Sequence, residues 1–254
     1  MELTNLPKEL LSLKKPVKKL YFKGNLELLQ KRKVAIIGSR KASIYTKNCV
    51  KELASLLRNV GVAVVSGGAL GVDINAHIGS MPSTIAVFAN GLNSIYPKSN
   101  EKIIKNIYEN ALALSENEPD YIAKNYDFLL RNRIIIALSE AVVIAEADLQ
   151  SGSMQSARLC EQMQKKLFVL PQRAFESKGT NLLLASNKAS LINDFHAFAS
   201  SFGNLDEKED DEFIKFCKQE SSVEKILKKF GDLLYEYELN GKIEIYGTSV
   251  KVLV

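Results

Sequence analysis

The chain of 254 residues has no tryptophan, two histidines, three cysteines and six prolines. Each shortage excludes a class of protein. Cys49, Cys160 and Cys217 are odd in number, far apart and in no C-x-x-C pair. That argues against a disulfide framework or a structural zinc site, and for the reduced thiols of a cytoplasmic protein. Neither metal nor cofactor is expected. With only His77 and His196, and no serine in a G-x-S-x-G elbow, no nucleophile–base–orienter set is visible. No apolar run is long enough to cross a bilayer. The opening Met1–Lys8 stretch lacks the basic head and apolar core of a signal peptide, so a cytoplasmic protein without a membrane partner is expected.

What remains, 46% hydrophobic and 25% charged residues, has the composition of an ordinary globular protein. Its charge is unevenly spread. Residues 1–202 carry 26 Lys and Arg against 17 Asp and Glu, whereas residues 203–212 carry six acids and one lysine. A basic main domain suits a polyanionic partner, because each neutralised phosphate releases counterions, although a modest positive balance is common. The run Asp206–Glu212 has no apolar residue to bury and reads as a solvated linker. The organisation expected is a short N-terminal extension (1–32), a main domain (33–202), an acidic linker (203–212) and a small C-terminal domain (213–254).

In the main domain, apolar runs alternate with stretches of helical spacing. The runs are Val34–Ile37, Val62–Val65, Thr84–Phe88, Ala111–Leu114, Ala141–Ala145 and Leu167–Leu170, and the helical stretches include Thr46–Asn59, Lys98–Asn110 and Ser153–Lys165. Runs apolar on both faces are what a parallel sheet covered by helices requires. The alternation predicts an α/β fold, a Rossmann-like doubly wound and mostly parallel sheet. In the tail, helical spacing over Phe213–Lys229 and Asp232–Leu239 ends at Asn240-Gly241, and Ile243–Tyr246 and Ser249–Val254 alternate like a hairpin around Gly247. That order predicts a small winged-helix-like module.

Ligands of an open α/β sheet sit beyond the carboxyl ends of its strands. There the first run is followed by Gly38-Ser39-Arg40-Lys41, and the second by Ser66-Gly67-Gly68-Ala69-Leu70-Gly71-Val72-Asp73. The latter nearly matches G-x-G-x-x-G but follows the second strand, so a phosphate cradle is a better reading than a dinucleotide site. Asp73 and His77, four apart on a helix, are either an acid–base pair or a structural pair, and residue-type priors favour the structural one. His196, in an apolar context, also reads as structural. Arg131 and Arg133, two apart at the start of an apolar helix, cannot share a face. One is expected at the pocket and the other in the interior or on a neighbouring loop. Phe128, one turn earlier, is either core or a stacking surface for a base. Ser151-Gly152-Ser153 and Lys178-Gly179-Thr180-Asn181 precede two further helices and suit either caps or anions. The loops after Ile37, Val65 and Ala145 should share one sheet edge, with Arg131 or Arg133 facing it.

Taken in order, these motifs resemble the DNA-processing protein A family (DprA, also called Smf) from Lys33 to about Leu191. The match includes Gly38-Ser39-Arg40, the Ser66–Asp73 loop with Ala76-His77, Tyr96-Pro97, Ser115-Glu116 and Phe128 with Arg131-Asn132-Arg133. It continues through Glu146-Ala147, Ser151-Gly152-Ser153, Val169-Leu170-Pro171 and Gly179-Thr180-Asn181. The resemblance implies an extended Rossmann domain that binds single-stranded DNA, dimerises and helps load the RecA recombinase in natural transformation. Carried over, the DNA pocket would use Gly38, Ser39, Arg40, the Ser66–Gly71 loop (Ser66, Gly67, Gly68, Gly71), Phe128, Arg131, Arg133, Ser151, Gly152 and Ser153. Lys41, Lys124, Lys165 and Lys178 are the weaker basic candidates. The sequence departs from the family at Leu70, where an arginine is common, and at Gln172, where a glycine is. The N-terminal helical domain of many members is here reduced to about thirty residues.

Two rival readings are enzymes. Nucleotide phosphoribohydrolases share a related fold, but their P-G-G-x-G-T-x-x-E stretch is replaced by Ser151–Ala157, with no glutamate before Glu161. An NAD-dependent enzyme would need a better fingerprint than the Ser66–Gly71 loop.

Overall fold

The computed structural model describes residues 1–11, 13–204, 212–239 and 242–252. All six apolar runs become strands, and two strands appear that periodicity does not reveal. In chain order they are β1 (Tyr21–Gly24), β2 (Lys33–Ile37), β3 (Ala63–Gly67), β4 (Thr84–Phe88), β5 (Leu112–Ser115), β6 (Ala141–Ile144), β7 (Lys166–Val169) and β8 (Ser190–Leu191). They form one sheet ordered β1-β5-β4-β3-β2-β6-β7-β8, parallel throughout except for β1, which runs antiparallel to β5. The unexpected strands are the two edges. β8 has only two residues, both exposed, and β1 is short and ends in a glycine, so neither has a hydrophobic pattern long enough to read.

The helices are α1 (Ile44–Asn59), α2 (Val72–Ser80), α3 (Glu101–Asn110), α4 (Asn125–Leu138), α5 (Gly152–Gln162), α6 (Lys178–Ala185) and α7 (Phe195–Ser200). Alternate residues of each strand face opposite sides, so β2 supplies two cores. Ala35 and Ile37 pack with Ile104 of α3, Ile134 of α4 and Ala157 of α5. Val34 and Ile36 pack with Leu53 of α1, Ala76 of α2 and Phe198 of α7. The sheet is therefore doubly wound, as expected. Two helix limits differ from the sequence reading: Lys98–Asn100 is a 3₁₀ turn before α3, and Met163–Lys165 lie beyond the end of α5.

The chain winds outward from β2 through β3 and β4 to β5, then returns to place β6 on the other side of β2. The connections leaving β2 and β6 thus part in opposite directions and open a crevice at the carboxyl end of the sheet, the usual ligand position in such folds.

Chain contacts divide the molecule into two units, 1–205 and 206–254. The second unit contains α8 (Glu212–Gln219), α9 (Val223–Phe230), α10 (Leu233–Leu239) and an antiparallel hairpin of β9 (Ile243–Tyr246) and β10 (Ser249–Val252). Phe213, Cys217, Ile226, Leu234, Ile243 and Val250 form its own core. The helical stretch read across Phe213–Lys229 is two helices, because Ser222 adopts an extended backbone before α9 and its N–H donates to the Glu220 carboxylate (3.1 Å). Leu205, residues 206–211 of the acidic run, Asn240-Gly241 and Leu253-Val254 lie outside the described residues. Since each unit has its own core, deleting residues 206–254 is expected to leave the first unit folded, with one cooperative melting transition. Aggregation or a broad melt of the truncated chain would show that the boundary is misplaced.

No helix among the described residues is long and apolar enough to cross a membrane.

Candidate functional site

The parallel neighbours β3, β2 and β6 end side by side, and their loops enclose a groove of about 710 Å³ lined by Gly38–Lys41, Asp73, Phe128, Arg131 and Ser151–Ser153. Backbone bonds fix the loops to one another. The Ser39 N–H donates to the Glu146 carbonyl (2.8 Å), the Val72 N–H to the Ser39 carbonyl (3.1 Å), and the Ser43 N–H to the Glu146 carboxylate (3.0 Å). Gly71 (φ +76°) takes a left-handed backbone in which a Cβ would strike the carbonyls of Ser39 and Arg40. The site therefore needs glycine there to let two loops touch. α2 and α5 both start at the groove, and the free N–H groups of a helix start favour an anion. The Ser151 hydroxyl caps α5, accepting from the Met154 N–H (3.3 Å).

Arg40 is exposed at the groove, and its guanidinium lies over the Phe128 ring, 5.3 Å from the centroid. Phe128 in turn packs against Tyr96, with ring centroids 5.6 Å apart. Among the described residues Arg40 makes no ion pair, though its charge also acts on the buried Asp73 carboxyl. The cation facing Asp73 is Arg131. Both are buried, and together they occupy the space where a Gly67 side chain would stand. Burial pushes the Asp73 carboxyl up and the Arg131 guanidinium down, and each is drawn partly back by the other's charge. Arg131 also donates through Nη1 to the Val87 carbonyl and through Nε to Asn132 Oδ1 (3.1 Å). It forms the groove wall more than it reaches out of it.

The second loop likewise shapes the floor. The Ser66 hydroxyl donates to the Ile36 carbonyl (2.6 Å), the Gly67 carbonyl accepts from His77 Nε2 (2.7 Å), and the Gly68 carbonyl accepts from Asn100 Nδ2 (3.1 Å). A Cβ on Gly68 would run into the Phe88 ring. His77 is fully buried, with Nε2 donating to Gly67 and Nδ1 facing the Thr84 hydroxyl (2.7 Å). His77 thus bonds to Gly67 and Thr84 and Asp73 faces Arg131, so the two are not bonded to each other.

Burial lowers the His77 pKa to about 4, against an ordinary 6.5. As pH falls, the unfolded chain therefore takes up this proton before the folded one does. Stability is lost between about pH 6.5 and 4, by about 3 kcal/mol at most. The stability difference between the parent chain and His77→Gln, followed by urea unfolding, is expected to shrink over that window. A difference independent of pH would mean that His77 is not held neutral.

The remaining candidates separate. Arg133 points away from the groove, pairs with Glu116 and lines a different cleft between α4 and α5. Two arginines two apart on a helix thus face apart, with Arg131 the one at the site. Lys41 lines the groove and is exposed. Lys124 is exposed just before α4, and Lys178 is exposed at the start of α6 on the same sheet edge. Lys165 does not belong to the site. It precedes β7 at the amino edge, where its Nζ donates to the carbonyls of Ala137 (3.0 Å) and Ser139 (2.7 Å) and closes the end of α4. His196 is exposed, because Phe198 and Ala199 form the buried face of the short α7 and His196 lies off it.

Tyr96 was not among the residues singled out for binding. It is half exposed beside Phe128, and its position after β4 at the same edge was the available signal. Leu70, where an arginine is common, is partly exposed in the small cavity that also contains Arg40 and Tyr96. Gln172 donates to Thr46 Oγ1 and to the Ala145 carbonyl (2.9 Å each), tying the loop after β7 to α1.

Comparison with known proteins agrees with this geometry. The profile of the family described as DNA recombination-mediator protein A matches residues 2–203. The chain is 37% identical over 155 residues to DNA processing protein DprA of Streptococcus pneumoniae, covering 60% of this chain and 55% of that protein. It is 34% identical over 161 residues to DprA of Bacillus subtilis, covering 62% and 54%. It thus spans about half the length of these curated relatives. Among solved structures it superposes on DNA processing protein A from Helicobacter pylori, described for its single-stranded DNA binding mode. The TM-score is 0.78 and the identity 48%, over 79% of this chain and 94% of that one. For DprA from S. pneumoniae the TM-score is 0.73 and the identity 32%, over 78% of this chain and 71% of that one. With its doubly wound sheet, its switch-point groove and a profile match over most of its length, the chain belongs to the DNA recombination-mediator protein A family.

Proposed function

We propose that the groove binds single-stranded DNA without catalysis. The observation that carries this reading is Arg40 stacked on Phe128, beside Tyr96, at the mouth of a groove where helices begin. Phosphates are held by the loop 38–41 and the start of α5, while bases stack on the two rings, a contact that any base can make. A paired duplex keeps its bases stacked on one another and so forgoes the aromatic contact. The similarity to the H. pylori protein supports the same ligand.

The hydrolase alternative lacks its acid. Glu161 is in the last turn of α5, paired with Lys188 (3.0 Å), and does not line the groove. The family relationship supports a cytoplasmic role in loading RecA on incoming DNA during natural transformation, as a homodimer. The exposed Leu182 and Leu191 beside the β8 edge are a surface that a second copy would cover.

A gel-shift titration tests the reading. Single strands are expected to shift at concentrations where a duplex of the same sequence does not, with no release of base from nucleoside monophosphates. Equal affinity for both forms, or monophosphate hydrolysis lost with a groove substitution, would overturn it.

A further inference from the structure

Several large apolar or aromatic side chains are exposed near the carboxyl edge: Tyr96, Leu70, Leu149 and Phe175 on loops, and Tyr45 and Tyr126 in the first turns of α1 and α4. Tyr45 and Phe175 lie outside the groove lining, and Tyr45 is four residues along the chain from Lys41, which lines it. Tyr45 is 52% exposed in the first turn of α1 and Phe175 is 90% exposed in the loop after β7. Such side chains lose free energy to water unless something covers them.

The two residues are held near each other by the fold. Gln172 Nε2 donates to Thr46 Oγ1 (2.9 Å), which ties the Phe175 loop to the turn that carries Tyr45. Asn181 Nδ2 donates to the carbonyls of Arg173 (2.9 Å) and Glu176 (2.8 Å), fixing the loop on both sides of Phe175. Arg173, 86% exposed and loosely paired with Glu176 (3.4 Å) on the same loop, is close enough for its charge to act on the Tyr45 hydroxyl, which is also bonded to Cys49. Lys41 and Lys178 are exposed on the neighbouring loops. Exposed aromatic rings with cations beside them, on a turn that follows the groove-lining loop, match a nucleic-acid strand better than a protein surface.

We propose that a single strand seated in the groove continues over the first turn of α1, where Tyr45 and Phe175, with Arg173, form a second stacking station for it. This rests on the single-strand reading of the groove. The station extends the footprint toward β7 and makes affinity depend on oligonucleotide length.

The test is the full chain carrying Tyr45→Ala and Phe175→Ala together, titrated with oligothymidylates of about 4 and about 16 nucleotides, the limits of a typical single-strand site. The expected result is a loss of about tenfold or more on the longer strand, the value of one stacking contact, with little change on the shorter. Replacement by Tyr45→Phe and Phe175→Tyr should restore length dependence, because the rings remain. If the alanine variant keeps the parent melting temperature and binds the longer strand as the parent does, the second station is wrong while the groove stands. An equal loss at both lengths would also overturn it, by placing these residues in the primary site. If the parent chain binds neither strand, the groove reading fails first and takes the station with it.

Discussion

Arg40→Ala is expected to weaken single-strand binding by about 10- to 100-fold, the value of one charge-assisted phosphate contact with its stacking support. The guanidinium is exposed and lies over Phe128, and although its charge acts on the buried Asp73 carboxyl, Arg131 still faces that carboxyl after the substitution. The loss should be similar for all base compositions, since phosphate carries no sequence information. The plot of log affinity against log salt should become shallower by about 0.7 for the lost contact. The melting temperature should hardly move. A clear fall in melting temperature with an unchanged salt slope would reverse the assignment and make Arg40 structural.

Arg131→Met is expected to act in the opposite way, by destabilising the fold. It removes the main cation that faces the buried Asp73 carboxylate, leaving it Arg40's charge and hydrogen bonds from Ala69 and Ser66; breaking comparable buried pairs costs about 3–5 kcal/mol. The pH dependence distinguishes this cause from lost packing. Burial already holds the Asp73 pKa above its ordinary 3.8, and without Arg131 it must rise further. The folded variant then takes up a proton at a higher pH than the unfolded chain. Its penalty is therefore fullest at neutral pH and is relieved as pH falls through the raised folded-state pKa. Asp73→Asn added to Arg131→Met should recover much of the lost stability at neutral pH. A double variant no more stable than Arg131→Met would show that the arginine packs rather than compensates. Loss of DNA binding in the single variant is to be read through this damage, since Arg131 is a buried part of the groove wall.

These contrasting outcomes mark how far sequence reaches. The six inner strands were legible because Val34–Ile37 and their counterparts are apolar on both faces, a pattern only a covered parallel sheet demands. The loops after Ile37, Val65 and Ala145 were placed on one edge because parallel strands leave no choice. Residue types at those loops did not tell which side chains reach the ligand. Ser66 and Arg131 have the chemistry of phosphate contacts, yet both are buried and bond to backbone carbonyls of neighbouring strands while acting on Asp73. Lys165 looked like another basic contact, but it closes the end of α4 at the opposite edge, a role set by tertiary position alone. Tyr96 and Phe128 are 32 residues apart in sequence and meet only when α4 folds back over β4.

Photo-crosslinking tests the central claim most directly. With a single strand carrying 5-iodouracil, mass spectrometry of the crosslinked peptides should find Tyr96 and Phe128 as the main attachment points, and adding unmodified single strand should suppress them. Crosslinks confined to residues 212–252 or to the amino edge around Lys165, with Tyr96 and Phe128 unmodified, would contradict a groove built on Arg40 and these two rings.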